Sequence, residues 1–576
     1  MISLRRTYLF ARGSIGLLRE RGAGALGREA GLRLKNRLVH GAPLTQPPEL
    51  RAINAGYPRW RRLHAPSEAA LAEARSRSEQ FAHRPLISVI VPVFEVDEVW
   101  LRAAIDSVVR QAYPYWELCL ADDGSTRPHI ARVLDTYAQA DSRIRHVRLE
   151  HNAGISTASN RAVQASTGEF VALLDHDDEL APDALYQIAA LVNSDPGVEL
   201  VYTDEDRLDA VTGALTNPYF KPGWSPDLLL AMNYLTHLVA CRRTLLDRVG
   251  GFRPGIEPGQ DYDLMLRLSE RTDKVAHIPR VLYHWRSIPG STAGSGYAKP
   301  EAQGAATRCL EDALVRRGIA ARVEPQGAGR FRIRYPVEQD PALSLIRFGP
   351  RPAPATGYGK VELVTAEAGA DWGSSANAAV EAAGGEYLLF VCEEVESAEP
   401  GWVEALLEQC GRPEVGLAGA RIVASDGRVF AAGLNLTAEP EALLAFRGLH
   451  RTSRGYFGHG ASSRNCSGVA WCFMARREVL DRLGGFHPGL PSPLAELDLC
   501  LRANRAGRRV VLTPYATAKV ARSSRDLPSI PAEAWETFTA RWGAEMAAGD
   551  PFLNPNLRTV YGGLELDLNP PPADRD

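Results

Sequence analysis

Three short apolar runs, at 116–121, 170–174 and 198–202, each break off directly into carboxylates. Trp116-Glu117-Leu118-Cys119-Leu120-Ala121 ends in Asp122-Asp123-Gly124-Ser125, Phe170-Val171-Ala172-Leu173-Leu174 in Asp175-His176-Asp177-Asp178, and the third in Thr203-Asp204-Glu205-Asp206. A further run, Leu86-Ile87-Ser88-Val89-Ile90-Val91-Pro92-Val93, precedes them. Short runs rich in β-branched residues read as strands buried on both faces. Helical spacing separates them: Leu101, Ala104, Ile105 and Val108 within 99–111, then 130–138, 156–165, and a helix with Pro182 in its first turn. Strand and helix alternate, which predicts an α/β domain with a mainly parallel sheet. The carboxyl ends of parallel strands face a common crevice where ligands bind. Three acidic ends in one crevice gather negative charge, and the expected relief is a hard divalent cation on oxygen ligands.

Charge is unevenly spread along the 576 residues, whose net value is −3. Residues 1–84 carry 16 Lys/Arg against 6 Asp/Glu, leaving 50 against 63 in the remainder. The near-neutral total gives no field that would drive the chain onto nucleic acid. Within 1–40, arginines from Arg5 to Arg37 alternate with leucines from Leu9 to Leu38, a pattern expected to make peripheral contact with anionic lipid. No apolar run reaches the roughly 18 residues of a spanning helix, and Arg12 interrupts the first apolar stretch, so no secretory signal is expected. The eight cysteines include no CxxC pair and sit mostly in apolar runs. Buried, reduced thiols and a cytoplasmic protein are expected, not a disulfide framework.

The second half repeats the first. Arg242-Arg243-Thr244-Leu245-Leu246-Asp247-Arg248-Val249-Gly250-Gly251-Phe252 recurs as Arg476-Arg477-Glu478-Val479-Leu480-Asp481-Arg482-Leu483-Gly484-Gly485-Phe486. Both copies continue to an acidic pair before a leucine-rich helix, Asp261-Tyr262-Asp263 and Glu496-Leu497-Asp498. Gly168-Glu169-Phe170 pairs with Gly385-Glu386-Tyr387, but Asp175-His176-Asp177 becomes Cys392-Glu393-Glu394. No counterpart of the first two strands is visible, so one complete unit followed by a shortened, altered copy is expected.

Five ordered motifs carry a resemblance: Val89-Ile90-Val91-Pro92-Val93, Asp122-Asp123-Gly124-Ser125, Asn152-Ala153-Gly154, Asp175-His176-Asp177-Asp178 and Gln260-Asp261-Tyr262-Asp263. Through them residues 85–290 resemble the family 2 glycosyltransferases, which have the GT-A fold and use nucleotide-sugar donors with a divalent metal. Val281-Leu282-Tyr283-His284-Trp285-Arg286 and the second unit extend the likeness to the bacterial branch that builds O-antigen or related surface polysaccharide. The resemblance implies a basic, partly helical region 1–84, a catalytic GT-A domain 85–300 and a helix-strand connector 301–340. A degenerate copy at 341–562 and a disordered tail at 563–576 complete it.

For the site, the resemblance implies that Pro92, Val93, Phe94, Asp122, Asp123, Gly154 and Asp175 bind the donor. Asp122 would accept from the base N–H, and the helix after Gly154 would meet the diphosphate. Asp177, with a late His284, would hold Mg²⁺ or Mn²⁺. On extended backbone residues i and i+2 point the same way, so Asp175 and Asp177 can share a cation. Asp261 is the implied catalytic base, in a motif whose usual Glu-Asp stands here as Gln260-Asp261. Lys221, Trp285 and Arg286, with Trp224, Asn233 and His237, are acceptor-side candidates. The implied activity is inverting transfer of a sugar to a hydroxyl of a glycan or lipid-linked glycan. The competing readings are a nucleotidyltransferase, for which no Gly-rich basic signature follows the first strand, and a non-catalytic scaffold in a polysaccharide assembly complex. No GxGxxG follows a strand and no P-loop is present, which argues against a dehydrogenase or a P-loop enzyme.

Overall fold

The computed structural model describes residues 48–288, 300–337, 341–367 and 371–569. The segment expected to meet lipid, 1–40, lies outside the described residues. Among them no helix is long and apolar enough to cross a membrane.

The first unit is one nine-stranded sheet: β1 (Ile87–Val93), β2 (Trp116–Asp122), β3 (Ile144–Arg148), β4 (Phe170–Leu173), β5 (Glu179–Leu180), β6 (Leu200–Asp209), β7 (Leu215–Tyr219), β8 (Val239–Arg242) and β9 (Val275–Ser287). Their order is β3-β2-β1-β4-β8-β6-β9-β5, with β7 paired to β6. The half from β3 to β4 is parallel. Beyond it the sheet is mixed, since β8 runs antiparallel to both neighbours. The apolar runs are buried on both faces. Val89, Val91 and Val93 pack with Leu101 and Ile105 on one side, while Ile90, Cys119 and Val171 belong to a core with Tyr57 and Trp60 on the other. All eight cysteines are free and buried.

Two expectations need correction here. The third acidic run is not a strand end: β6 continues through Asp204, Glu205 and Asp206 to Asp209, paired to β9 along its length. Side chains therefore alternate across the sheet there instead of gathering at its edge. The second unit also has counterparts of the first two strands, Leu343–Phe348 and Val361–Ala366, which pair in parallel. Its sheet runs 361–366, 343–348, 387–391, 472–476, 415–423, 509–520, 395–398. That is the order of the first sheet from β2 to β5. Among the described residues the edge strand β3 has no equivalent, and the pattern hid because Ala366 alone of 361–366 is buried.

The two units are joined by helix Pro300–Arg316 and a hairpin of Arg322–Gly327 with Arg330–Arg334. The expected disordered tail is also corrected for residues 563–569. Gly563–Leu566 pairs with Leu557–Val560, and Leu566 is buried against the first unit's core. Ahead of this hairpin, Asn554 donates to Asp204 Oδ2 and to the Lys221 carbonyl, each at 2.8 Å.

Candidate active site

Strand register assembles the site. Val93 pairs with Asp122, and Ile90 with Leu173, so Pro92-Val93-Phe94, Asp122-Asp123 and Asp175–Asp178 emerge at one edge of the sheet. Asp122 is buried; its Oδ1 accepts from Ser125 N at 2.9 Å. Its Oδ2 accepts no hydrogen bond among the described residues, and Arg148 Nε stands 3.4 Å away. A buried acceptor without a donor calls for an explanation, and a ligand N–H supplies one.

Asp123 differs. Its two oxygens accept from Ala153 N (2.8 Å) and Gly154 N (2.9 Å), so it fastens the 152–154 turn. The Gly154 N–H is held by Asp123. The Glu257 carboxylate also lies 3.7 Å from where a Gly154 side chain would begin. Burial would raise Glu257, but hydrogen bonding to Ser156 in that first helical turn holds it below the usual carboxylate range. The expected diphosphate position thus holds a carboxylate of the chain itself.

The Asp175–Asp178 loop is braced so that two of its carboxylates stay available. Asp178 is buried, accepting from Tyr283 Oη (2.6 Å) and Arg286 N (2.7 Å), and burial with the charges of Asp175 and Asp177 pushes its pKa well up. Arg286 donates from Nε to the Asp177 carbonyl, pairs with Glu179 and stacks over Trp100. It is a brace for this loop and not an acceptor contact. Asp177 is raised by burial, with Asp175 adding to the shift and His176 opposing it. Asp175 remains 45% exposed. Two close carboxylates, one raised by desolvation and like charge, suit a hard cation with oxygen ligands.

His284 does not join them. Its Nδ1 lies 2.6 Å from Asp206 Oδ1, and Asp206 accepts from Tyr57 Oη on the other side, both bonds buried. Among the described residues no group of three or more His, Cys, Asp and Glu is arranged to hold a metal ion. Lys221 is corrected as well: it is fully buried, its Nζ bound by Glu205 and by the carbonyls of Leu235 and His237. The charge of β6 is therefore consumed within the fold.

Opposite the Asp175 loop, the wall comes from 233–237 and the start of helix Gln260–Ser269. An open cleft is lined by Pro92, Asp175, Asn233, Thr236, His237, Gln260 and Asp261 among others. Asn233 Nδ2 donates to Asp261 Oδ2 at 3.0 Å. Burial raises Asp261, Asp175 adding to the shift while His237 and backbone N–H groups oppose it. Asn233 Oδ1 and Gln260 Oε1 are buried without partners among the described residues. They are acceptors in a cleft that already holds a carboxylate.

His237 stacks on Tyr283, with ring centroids 4.6 Å apart, and stands edge-on to Trp285. Its Nδ1 is 3.5 Å from Glu205 Oε2 and its Nε2 3.8 Å from Asp175 Oδ2. Burial would lower His237, but Glu205 first and then Asp175 and Asp178 raise it to about 9, making it a cation at neutral pH. Glu205 was not singled out from the sequence. Desolvation would raise it, yet Lys221 and His237 hold it well below the carboxylate range. Its only sequence signal is period-2 alternation between Asp204 and Asp206.

In the second unit the equivalent cleft is filled. Register places Arg347 below Cys392-Glu393, and its guanidinium donates to both of their carbonyls. Trp471 stands at the repeat position of His237, and Cys392, Trp471 and Glu496 are all buried. Cys392 Sγ lies 3.7 Å from Glu496 Oε1, so the counterparts of Asp175 and Asp261 touch each other.

A family model described as "Glycosyl transferase family 2" matches residues 88–250. The chain is 34% identical, over 94% of its length, to a Myxococcus xanthus protein named O-antigen biosynthesis protein RfbC, and covers 45% of that protein. TuaG of Bacillus subtilis, named as a glycosyltransferase of teichuronic acid biosynthesis, is 37% identical over 37% of this chain and 83% of its own length. Among solved structures, S. aureus TarS 1–349 in complex with UDP-GlcNAc aligns with 40% of this chain and 66% of that chain, at 19% identity and a TM-score of 0.34. The chain spans about half the length of the curated relatives it matches over most of its own sequence, 45% and 58%.

Proposed function

The chain belongs to glycosyltransferase family 2, and from that membership we propose that its first unit transfers a sugar, with inversion, from a nucleotide-sugar donor to a hydroxyl of a glycan or lipid-linked glycan. The setting we propose is cell-surface polysaccharide biosynthesis, in keeping with the relatives named for O-antigen and teichuronic acid. One observation carries the reading. Asp175 and Asp261 face a single cleft whose buried acceptors, Asn233 Oδ1 and Gln260 Oε1, have no donor among the described residues.

Each residue then has a task. Asp122 Oδ2 accepts an N–H of the donor base. Asp175 and Asp177 would hold Mg²⁺ or Mn²⁺, whose chemistry there is neutralisation of charge on the departing nucleoside diphosphate. His284 is not part of that set. Asp261, one oxygen fixed by Asn233, takes the proton of the acceptor hydroxyl with the other. The freed oxygen attacks the anomeric carbon as the diphosphate leaves from the opposite face. A raised pKa suits Asp261 to this work, because a stronger base accepts the proton more readily at neutral pH. Trp285, beside His237, lies along the acceptor approach. The second unit, its cleft filled, is a scaffold and not a second enzyme. The reading places the protein in the cytoplasm, against the membrane through residues 1–40.

The test is a panel of common nucleotide sugars incubated with a glycan acceptor, scoring release of nucleoside diphosphate with Mn²⁺ or Mg²⁺ and with EDTA. Release from one or two donors, lost in EDTA and restored by the metal, is expected. Turnover that is undiminished in chelator removes the metal from the reading, and no release from any donor removes the transferase.

A further inference from the structure

The wall that carries Asn233 and His237 is gripped from outside its own unit. Short helix Pro226–Ala231 starts at Ser225, and Asn465 of the second unit closes on that start. Asn465 N donates to Ser225 Oγ (3.1 Å), its Oδ1 accepts from Ser225 Oγ (3.0 Å) and Asp227 N (3.2 Å), and its Nδ2 donates to Asp227 Oδ2 (2.8 Å). Arg412, also of the second unit, donates from Nη1 to Asp227 Oδ1, and the two side chains are only 7% and 2% exposed. Flanking contacts tighten the grip: Tyr456 Oη donates to the Pro218 carbonyl and Gly223 N to the Pro551 carbonyl.

Two bonds tie the gripped helix and the residues just after it to the start of the helix that carries the base. Tyr262 Oη donates to the Leu229 carbonyl at 2.5 Å, and Tyr262 is the chain neighbour of Asp261. Two residues past the helix, Asn233 donates to Asp261 itself. A desolvated ion pair is a poor source of net stability compared with apolar packing, but a wrong alignment leaves a buried charge unpaired, so it fixes register between surfaces.

We propose that the second unit is the positioning partner of the first: Arg412 and Asn465 set the pose of Asp261 through Asp227 and helix Pro226–Ala231. The inference rests on the reading of Asp261 as the base. Arg412, Asn465 and Asp227 are positioning residues; none faces the cleft. The arrangement gives the filled copy a task that needs no ligand of its own.

The full chain tests this with Asp227→Asn, Tyr262→Phe and Asn233→Ala, read by hydrogen exchange and by steady-state turnover. In Asp227→Asn, amide exchange should rise across 226–237 and also at 260–264, while 87–93 and 116–122 stay protected. Turnover should fall about 10-fold with donor KM within about twofold, the pattern of a misplaced base. Paired with Asn233→Ala, the two losses should be strongly non-additive, since both act through one carboxylate. If Asp227→Asn does not fold, Tyr262→Phe deletes a single hydroxyl from the same path and is read in the same way. Exchange confined to 223–231, or losses that simply multiply, overturns the proposal. Should Asp261→Asn keep normal turnover, the base assignment fails, whereas an inactive Asp261→Asn beside confined exchange removes the clamp alone.

Discussion

The two units share a scaffold down to single hydrogen bonds and differ almost wholly in their clefts. Asn160 exchanges bonds with the backbone of Phe252 at 2.7 and 2.8 Å, and Asn377 does the same with Phe486 at 2.9 and 2.8 Å. Arg243 Nε donates to the Gly168 carbonyl, as Arg477 Nε does to that of Gly385. Ser88 Oγ accepts from Gly168 N and Ser344 Oγ from Gly385 N, each at 2.8 Å. Even the repeated Gly-Gly has one cause: at Gly251 and Gly485, φ is +70° and +71°, and a Cβ would stand 2.5 Å from Asn160 or Asn377 Oδ1. Across the sheet edge, Val91 gives way to Arg347, Asp175 to Cys392, His237 to Trp471 and Asn233 to Ser467. The fold is specified behind the sheet and the chemistry in front of it, so one can be rewritten while the other stands.

The sharpest way to break this contrast is at the first carboxylate loop. Asp177→Ala should reduce transfer by about 10³-fold or more, on the scale of losing electrostatic stabilisation of a leaving group. Cys392→Ala and Glu394→Ala should leave turnover within about twofold, since their cleft holds no substrate on this reading. Equal losses in a transfer assay would give the chain two working sites. Next in size is Asp261→Asn, expected to cost about 10² in turnover while leaving binding of nucleoside diphosphate with Mn²⁺ intact. Normal transfer by this variant would move the base elsewhere.

A third comparison probes what the units share. Asn160→Ala and Asn377→Ala each strip two backbone groups of their partner, so each should destabilise by about 1–3 kcal/mol. Calorimetry should show matched losses. A loss in one unit only would mean that the common bonds do not bear equal load.

The same division explains what was readable beforehand. β1, β2 and β4 and the repeat at 242–252 were legible because two-sided burial forces apolar runs and turn geometry forces glycine. The Asp175–Asp177 spacing stood out because carboxylates gathered at strand ends are costly without a use, whereas Asp261 was marked by the family resemblance alone. Asp204 and Asp206 misled for the opposite reason: their partners, Lys221, His277, Tyr57 and His284, arrive from distant segments that no local pattern reveals. Nor does any local pattern reveal that Asp123 and Gly154, 31 residues apart, are bonded to each other. His284 looked like a metal ligand by its place in the motif. Strand alternation had already turned it away from Tyr283 and Trp285, a distinction of one residue that only the register of β9 against β6 fixes. The strand at 361–366 escaped because an edge strand need not be apolar.

The smallest effect concerns Glu496, the repeat counterpart of Asp261. It is fully buried, accepts from Ser492 Oγ at 2.7 Å, and leaves Oε2 without a partner. Burial pushes its pKa up to about 7. An acid whose folded pKa is raised binds a proton that the unfolded chain releases, so its contribution is fully present below about pH 4.5 and is lost as pH rises through about 7. Glu496→Gln imitates the protonated form and cannot ionise. The variant should therefore match the parent near pH 4.5 and exceed it by on the order of 1 kcal/mol at pH 8, a shift of a few degrees in melting of the second unit. Asp261→Asn is the paired measurement, because Asp261 shares the upward shift but lines an open cleft with Asn233 beside it. Calorimetry at pH 4.5, 6 and 8 should show the larger pH-dependent gain in the second unit. Parallel melting curves for Glu496→Gln and the parent would mean that Glu496 ionises freely, which requires water in the second cleft and reopens it as a binding site.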